Sequence, residues 1–216
     1  MKNYKNILEN REDAAKQFND IIPMQKLKDE NWKLVAVSNG GLELASLIKK
    51  NFKNKLTLLF SESILAPNNS DCEVARVSEM EEIVINEQII DSFNIQYDYI
   101  YGEAHRKHEQ VILSNIYQYR KGKPFPSMKD EIVLLVDDGS ESGLIFMTAL
   151  KTVLSIKPKA VYIAVPVLPT DVLELLEAFA DELFFIHAID DFVETSLYYE
   201  DLQKISEKTI EKLLED

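Results

Sequence analysis

Two adjacent aspartates and the short loop after them are the residues of this sequence best suited to chemistry. Asp137 and Asp138 precede a loop of small and polar residues at 139–143. Paired carboxylates can accept hydrogen bonds from the vicinal hydroxyls of a ribose, or they can hold a hydrated Mg²⁺. A small loop that opens a helix directs backbone N–H groups and the helix dipole at an anion. The sequence therefore predicts a site for a phosphorylated sugar, with the phosphate on Gly139, Ser140, Glu141, Ser142 and Gly143.

The segments on either side of this acid pair place it at the end of a buried strand. Residues 132–136 form a continuous apolar run with three β-branched side chains, which predicts a strand buried on both faces. Residues 144–150 have the apolar spacing of a helix. An interior strand that merely ends in a helix cap is an alternative explanation of the motif. A Walker B motif is excluded, because the sequence contains no G-x-x-x-x-G-K-[ST] segment.

Strands and helices alternate along the rest of the chain, which predicts an α/β fold. Strands are predicted at 33–38, 55–61, 132–136, 160–166 and 183–188, and helices at 11–22, 42–50, 103–119, 144–150 and 170–180. This order predicts a Rossmann-like parallel sheet with helices on both faces. Ligands of such sheets bind at the carboxyl ends of the strands, where residues 39–41, Ser61 and 137–143 are expected to meet. Residues 64–71 are predicted to form a loop, and 73–77 and 82–85 a hairpin that acts as a hood.

The composition predicts a single domain, spanning residues 1–216, in the cytoplasm. The chain is 46% hydrophobic, which is enough for a sizeable core. No apolar run approaches the ~18 residues that a membrane span needs, and the first residues lack the apolar core of a signal peptide. Cys72 is the only cysteine, so no internal disulfide is expected. The net charge of −13 argues against nucleic acids and anionic membranes as partners.

The motif Val-Asp-Asp-Gly-Ser-Glu-Ser-Gly at 136–143 resembles the phosphoribosyl pyrophosphate motif of the type I phosphoribosyltransferases, and particularly that of bacterial predicted phosphoribosyltransferases. Ser142 takes the place of a phosphate-binding threonine in that family. Weaker similarities occur in the segments YRKGKP at 119–124, AVPVLP at 164–169 and YYEDLQKIS at 198–206. An Asn-Arg-x-x-Ala-Ala segment at 10–15 is similar to the family's N-terminal helix. The resemblance covers residues 10–211 and implies a hood or flap formed by 61–85 and 103–126.

The resemblance implies a transferase of nucleotide metabolism. Such an enzyme binds phosphoribosyl pyrophosphate with Mg²⁺ and transfers the phosphoribosyl group to a nitrogenous acceptor. Asp137 and Asp138 would be the catalytic pair and would hold the metal through water or the ribose. The pyrophosphate loop would be Asn39, Gly40 and Gly41, although the two glycines also fit the tight turn of a βα unit. Phe192 would stack on the base, and a packing role in the core is its alternative. A nucleoside monophosphate is the other expected ligand, and a homodimer is a candidate assembly.

Three departures from the family pattern put activity in doubt. Asn39 and Ser61-Glu62 stand where the family has basic residues, and Glu141 enters the phosphate loop. A carboxylate about 4 Å from a phosphate costs up to ~4 kcal/mol near a surface, whereas a helix N-terminus contributes only roughly 0.3–1 kcal/mol. The direction of the Glu141 side chain therefore decides whether the loop binds a phosphate.

Two other functions are compatible with these departures. One is a catalytically degenerate phosphoribosyltransferase-like domain that binds a nucleotide or a protein partner in a regulatory role. The other is an acidic interaction protein without a small ligand. A group of basic residues at 106–123, which includes Arg120, could bring positive charge to the site. His105 and His108 share a helix face, but no further ligands at metal-binding spacing accompany them.

Overall fold

The computed structural model describes residues 7–50 and 52–215. In chain order, the helices are α1 Arg11–Ile21, α2 Met24–Asp29, α3 Asn39–Ile48, α4 Glu87–Ser92, α5 Tyr97–Lys107, α6 Leu113–Arg120, α7 Leu144–Ser155, α8 Thr170–Glu177 and α9 Glu207–Glu215. The strands are β1 Lys33–Ala36, β2 Leu56–Leu58, β3 Ser61–Ala66, β4 Asn69–Ser78, β5 Ile83–Ile85, β6 Ile132–Val136, β7 Ala160–Pro169 and β8 Glu182–Ile189. A π-helical turn, His108–Ile112, joins α5 to α6, and a 3-10 turn spans Thr195–Tyr198.

The central layer is a five-stranded parallel sheet in the order β2-β1-β6-β7-β8. The strand that precedes the acid pair, β6, lies in the middle of this sheet. It pairs in regular register with β1 on one side, where Lys33 lies opposite Val133, and with β7 on the other, where Ile132 lies opposite Ala160. The predicted Rossmann-like fold with helices on both faces is confirmed.

Alternating side chains of β6 explain why helices cover both faces. Ile132, Leu134 and Val136 pack into a core cluster with α1 and α3. Val133 and Leu135 point the other way and pack against α7 and α8. All of these side chains are buried, and each fully buried aliphatic side chain contributes about 1.5–3 kcal/mol. A strand that is apolar on both faces is stable only between two such layers.

A second sheet has the antiparallel order β3-β4-β5 and forms the hood. Its apolar side packs against the rod formed by α5, the π-helical turn and α6, through Ile64, Val74, Ile100 and Ile112. The chain passes directly from β2 into β3 within the same core cluster, which also includes Phe60. The hood is therefore attached to the edge of the main sheet.

Two local predictions were wrong. Residues 61–66 form the strand β3, although 64–71 were predicted as a loop. The turn is confined to Pro67 and Asn68, where Asn68 has a φ of 65°, and β4 begins at the next residue. Helix α3 begins at Asn39, not at Leu42, because the Ser38 hydroxyl caps it by accepting the N–H of Gly41 at 2.9 Å.

The start of α3 approaches the end of β6 so closely that only glycine fits at position 41. A Cβ there would overlap the carbonyl oxygen of Val136 and would lie 2.9 Å from the Cα of Asp137. This contact fixes α3 against the end of the central strand. Among the described residues, no helix is long and apolar enough to cross a membrane.

We expect Gly41→Ala to lower the free energy of unfolding by about 2–4 kcal/mol, because a backbone must move to admit the methyl group. Urea unfolding measures the loss. Gly102→Ala is the matched control, since Gly102 also lies in a helix but, apart from its chain neighbours and the nearby backbone of its own helix, no atom of the described residues lies within 4 Å of its Cβ position. That variant should be unchanged or stabilised by about 0.5–1 kcal/mol. A Gly41→Ala protein as stable as wild type would contradict this account of the contact.

Candidate functional site

The loop after β6 and the hood strand β4 enclose a cleft of about 410 Å³ at the carboxyl edge of the main sheet. Residues of the loop and of β4 line it together with Ile89, Ile145 and Thr195. The described lining residues are Asp71, Cys72, Glu73, Arg76, Ile89, Asp137, Gly139, Ser140, Glu141, Ser142, Ile145 and Thr195. The cleft therefore contains most of the predicted phosphate loop and one member of the acid pair.

Unfilled hydrogen-bond donors lie in the loop that lines this cleft and in Gly143, which follows it. Among the described residues, no acceptor takes the backbone N–H groups of Glu141, Ser142 and Gly143. Gly143 has a φ of 73°, a left-handed conformation that glycine adopts at little cost, and it is the N-cap residue of α7. The Ser140 hydroxyl is 2% exposed and also has no partner within the described part of the chain. Buried polar groups without partners are uncommon, so this loop is suited to an acceptor from outside the chain.

Asp137 is buried at the inner end of the cleft. One of its carboxyl oxygens accepts hydrogen bonds from the Ser38 hydroxyl and from the backbone N–H of Asp138, the latter at 2.9 Å. Burial, followed by the neighbouring Asp138 carboxylate, raises the pKa of Asp137 well above its usual value. The carboxyl group therefore retains its proton to a higher pH than an exposed aspartate.

Asp138 points away from the cleft and into an ion pair. Its Oδ2 atom accepts from Arg11 Nε at 2.8 Å and from the terminal nitrogen of the same guanidinium at 2.7 Å. Arg11 also donates to Glu43 and to the carbonyl oxygen of Gln203. The Tyr199 hydroxyl donates to the Asp138 carbonyl oxygen at 2.6 Å, and burial holds the pKa of that phenol far above its usual value. The N-terminal helix and the C-terminal segment thus meet at Asp138.

The predicted pyrophosphate loop lies beside the acid pair. Gly40 faces the Asp138 carboxylate so closely that a Cβ would overlap it, and Gly41 is buried against β6. Asn39 is exposed at the start of α3. The structure brings these residues to the same sheet edge as Asp137, with Gly40 half-buried against the Asp138 carboxylate.

Glu141 is turned toward the segment that covers the loop. Its Oε1 atom accepts the backbone N–H of Thr195 at 3.1 Å. Thr195 in turn lies directly against Gly139, where a Cβ would overlap the threonine methyl group. The Glu141 carboxylate is therefore satisfied by a donor outside its own loop, and it leaves the amides of 141–143 uncovered.

Two hood residues complete the charge distribution of the cleft. Arg76 donates to the Glu73 carboxylate at 2.8 Å and to the Ser61 hydroxyl at 3.1 Å. Burial raises the pKa of Glu73, while Arg76 and the Ser142 hydroxyl oppose this shift. Of the described residues that line the cleft, Arg76 alone is basic.

Phe192 lines a second cleft of about 560 Å³ next to the first, and Glu141 borders both. Its ring lies 4.8 Å from that of Tyr198, in a tilted arrangement, and the side chain is half-buried. Tyr198 and Tyr199 are both buried, as packing residues are expected to be. Base stacking by Phe192 stays a prediction.

The basic residues at 106–123 do not bring charge to the cleft through Arg120. That side chain forms an ion pair with the buried carboxylate of Glu79, and its guanidinium lies 5.0 Å from the centre of the Phe60 ring. Glu79 also accepts the backbone N–H of Phe60 at 3.0 Å. The pair joins the end of α6 to the end of the hood strand β4.

The sequence analysis missed four residues of the site: Arg11, Glu73, Arg76 and Thr195. Arg11 could have been found, because it lies in the Asn-Arg-x-x-Ala-Ala segment that resembles the family. The other three carry no local pattern, since folding alone brings them to the loop. Among the described residues, no group of three His, Cys, Asp or Glu side chains is arranged to hold a metal ion.

Comparison with known proteins supports the fold. No protein-family model matches the sequence. The chain is similar to TT1426 from Thermus thermophilus, at 25% identity and a TM-score of 0.73, over 96% of this chain and 97% of that one. The parallel sheet between helices, with the hood beside it, is the architecture that the sequence's resemblance to the type I phosphoribosyltransferases implies.

Two further structural similarities are more distant, with TM-scores below 0.5. One is to a hypoxanthine-guanine phosphoribosyltransferase from Bacillus anthracis, at 14% identity and a TM-score of 0.43, over 87% of this chain and 84% of that one. The other is to a hypothetical protein from Neisseria gonorrhoeae with bound ppGpp, at 12% identity and a TM-score of 0.42, over 87% and 88% of the two chains.

Replacement of Arg11 by methionine should lower the free energy of unfolding by roughly 2–4 kcal/mol, because it leaves the largely buried Asp138 carboxylate without its cation. The methionine retains the apolar stem of the arginine. Denaturant unfolding followed by circular dichroism measures the change. In the control Arg106→Met, an ion pair with Glu103 on an exposed helix surface is lost, which should cost less than about 0.5 kcal/mol. Equal losses in the two variants would contradict the role assigned to Arg11.

Proposed function

We propose that the chain binds the 5′-phosphate of a phosphoribosyl ligand at residues 140–143 and transfers the phosphoribosyl group from phosphoribosyl pyrophosphate to a nitrogenous acceptor. The observation that carries the proposal is the set of unfilled donors in this loop. They are the N–H groups of Glu141, Ser142 and Gly143 and the buried hydroxyl of Ser140. A phosphate at the start of α7 would accept from several of these donors and would gain from the helix dipole.

The direction of the Glu141 side chain removes one objection to this proposal. A carboxylate pointing onto the loop amides would repel a phosphate more strongly than the helix dipole attracts it. Glu141 instead accepts the N–H of Thr195. Because the Glu141 carboxylate does not point onto the loop, the loop amides can bind an anion.

The position of the phosphate determines where the ribose and the acceptor would bind. The ribose hydroxyls would bind Asp137, which lines the cleft and has one carboxyl oxygen not engaged by Ser38 or by the Asp138 amide. The acceptor would enter the neighbouring cleft beside Phe192. Catalysis would rest on positioning the acceptor at the anomeric carbon and on stabilising the departing pyrophosphate.

Mg²⁺ would be bound by Asp137 together with oxygens of the ligand. Magnesium commonly binds through one or two carboxylates and substrate phosphates, so a complete set of protein ligands is not needed. Its charge would favour the ionised form of Asp137, against the effect of burial. When bound, the ion neutralises charge on the pyrophosphate leaving group.

A second candidate function is nucleotide binding without turnover. It is favoured by the Asp138 carboxylate, which pairs with Arg11 and does not line the cleft. A ribose diol would then meet one carboxyl group and not two. Saturable binding of nucleoside monophosphates, without release of pyrophosphate from phosphoribosyl pyrophosphate in the presence of any acceptor, would support this function over transfer.

Ser140→Ala should weaken binding of phosphoribosyl pyrophosphate by about tenfold, because it removes one donor to the phosphate. The same change should leave the folded protein as stable as wild type or more so, since the hydroxyl has no partner among the described residues. Isothermal titration calorimetry and thermal unfolding measure the two effects.

The control is Thr148→Val, which removes another buried hydroxyl that has no partner among the described residues, at a position outside the cleft. This variant should bind as tightly as wild type. Binding that is unaffected by Ser140→Ala, or weakened equally by both changes, would contradict the proposed site. Assay of pyrophosphate release with Mg²⁺ and a panel of heterocyclic bases then distinguishes transfer from binding alone.

A further inference from the structure

An irregularity in the hood aims two charged side chains at the cleft. Ile64 of β3 pairs with Ala75, but the next residue, Leu65, pairs with Glu73. Val74 is therefore an extra residue in β4, and such bulges redirect the side chains on either side. Val74 and Ala75 are both fully buried, whereas successive side chains of a regular strand alternate between faces.

The bulge places Glu73 and Arg76 on the same side of β4. Residues three apart in a regular strand would point to opposite faces. Here the Nε atom of Arg76 lies 2.8 Å from a carboxylate oxygen of Glu73, and both side chains line the cleft over the loop. They are largely buried, with 16% of the Arg76 side chain and 21% of the Glu73 side chain exposed.

The Glu73 carboxylate makes contacts that a ligand phosphate would make. It accepts from the guanidinium of Arg76, and it interacts with the Ser142 hydroxyl of the loop. Carboxylate and phosphate oxygens are both acceptors for a guanidinium and a hydroxyl, so one can replace the other at this point. Glu141 lies close enough to act on Glu73 by charge repulsion, which makes the carboxylate easier to displace.

We infer that Arg76 is a phosphate-binding residue that determines specificity for phosphorylated ligands. The Glu73 carboxylate occupies the position of the phosphate beside Arg76 until a ligand phosphate displaces it. The inference rests on the proposed function, because the position that Glu73 would vacate lies over residues 140–143, the proposed phosphate site. Arg76 supplies the positive charge that Ser61 and Asn39 do not provide, and it does so from the hood. When the phosphate binds and displaces Glu73, the contact between Glu73 of the hood and Ser142 of the loop would be lost.

The geometry also accounts for the low positive charge of the cleft before a ligand binds. Four acidic side chains line it, namely Asp71, Glu73, Asp137 and Glu141, and Arg76 is the one basic side chain among the described lining residues. A phosphate that replaced the Glu73 carboxylate at Arg76 would leave the number of negative groups around the guanidinium unchanged. The same phosphate placed beside an undisturbed Glu73 would be repelled by it.

The test is binding of ribose 5-phosphate to the full chain by isothermal titration calorimetry. Glu73→Gln should bind ribose 5-phosphate about tenfold more tightly than wild type, because the competing charge is gone. Arg76→Gln should bind it about tenfold more weakly. Unphosphorylated ribose should show neither difference, since both residues act on the phosphate.

The matched control is Glu82→Gln, which removes a hood carboxylate whose ion pair with Lys151 lies outside the cleft. Its affinity for ribose 5-phosphate should equal that of wild type. Glu73→Ala repeats the test if the glutamine variant unfolds, and circular dichroism checks each protein for native structure.

Each outcome bears on the inference. Tighter binding by the Glu73 variants supports it, whether or not binding by wild type is detectable. Equal affinity in wild type and the Glu73 variants, or unchanged binding by Arg76→Gln, overturns it while the proposed phosphate site stands. Absence of binding by both wild type and the Glu73 variants overturns the inference and the proposed function together.

Discussion

Two adjacent carboxylates at the buried end of the central strand constrain everything around them. A charged carboxylate that leaves water without partners is costly, so each must be neutralised or paired. Asp137 meets this requirement with a hydrogen bond from Ser38 and a raised pKa. Asp138 meets it with the guanidinium of Arg11. These contacts draw the N-terminal helix and the first turn of α3 to the same point of the sheet, which is where the loop begins.

The acid pair and the loop that follows it differ in what they offer a ligand. The carboxylates already have partners within the chain, while the amides of 141–143 and the hydroxyl of Ser140 have none among the described residues. Recognition of a phosphate therefore requires little rearrangement of the main sheet. Recognition of a ribose diol by both aspartates requires Asp138, which pairs with Arg11 and does not line the cleft, to turn toward the ligand. The geometry thus supports phosphate binding more directly than it supports catalysis of transfer.

Much of the fold could be predicted from the sequence because it follows from local patterns. Apolar runs such as 132–136 identify buried parallel strands, and the alternation with helices limits the architecture to a covered sheet. The strand β3 was missed because the turn residues Pro67 and Asn68 made the whole of 64–71 resemble a loop. The start of α3 was missed because Gly40 and Gly41 disfavour a helix, whereas close packing on β6 requires them.

The candidate site could be predicted only in part, for a physical reason. The loop and the acid pair are contiguous, so a motif contains them. Arg11 is 127 residues from Asp138, and Glu73 and Arg76 reach the loop only because a bulge redirects them. Contacts of this kind depend on how separate elements pack, and a single sequence does not record them.

Binding of a phosphate by the amides that precede α7 can be tested by titration of the ¹⁵N-labelled protein with ribose 5-phosphate. We expect the largest amide shifts at Glu141, Ser142 and Gly143, and we expect these shifts to be saturable and absent with ribose alone. Saturable shifts confined to other parts of the chain, or no shifts at all, would contradict it.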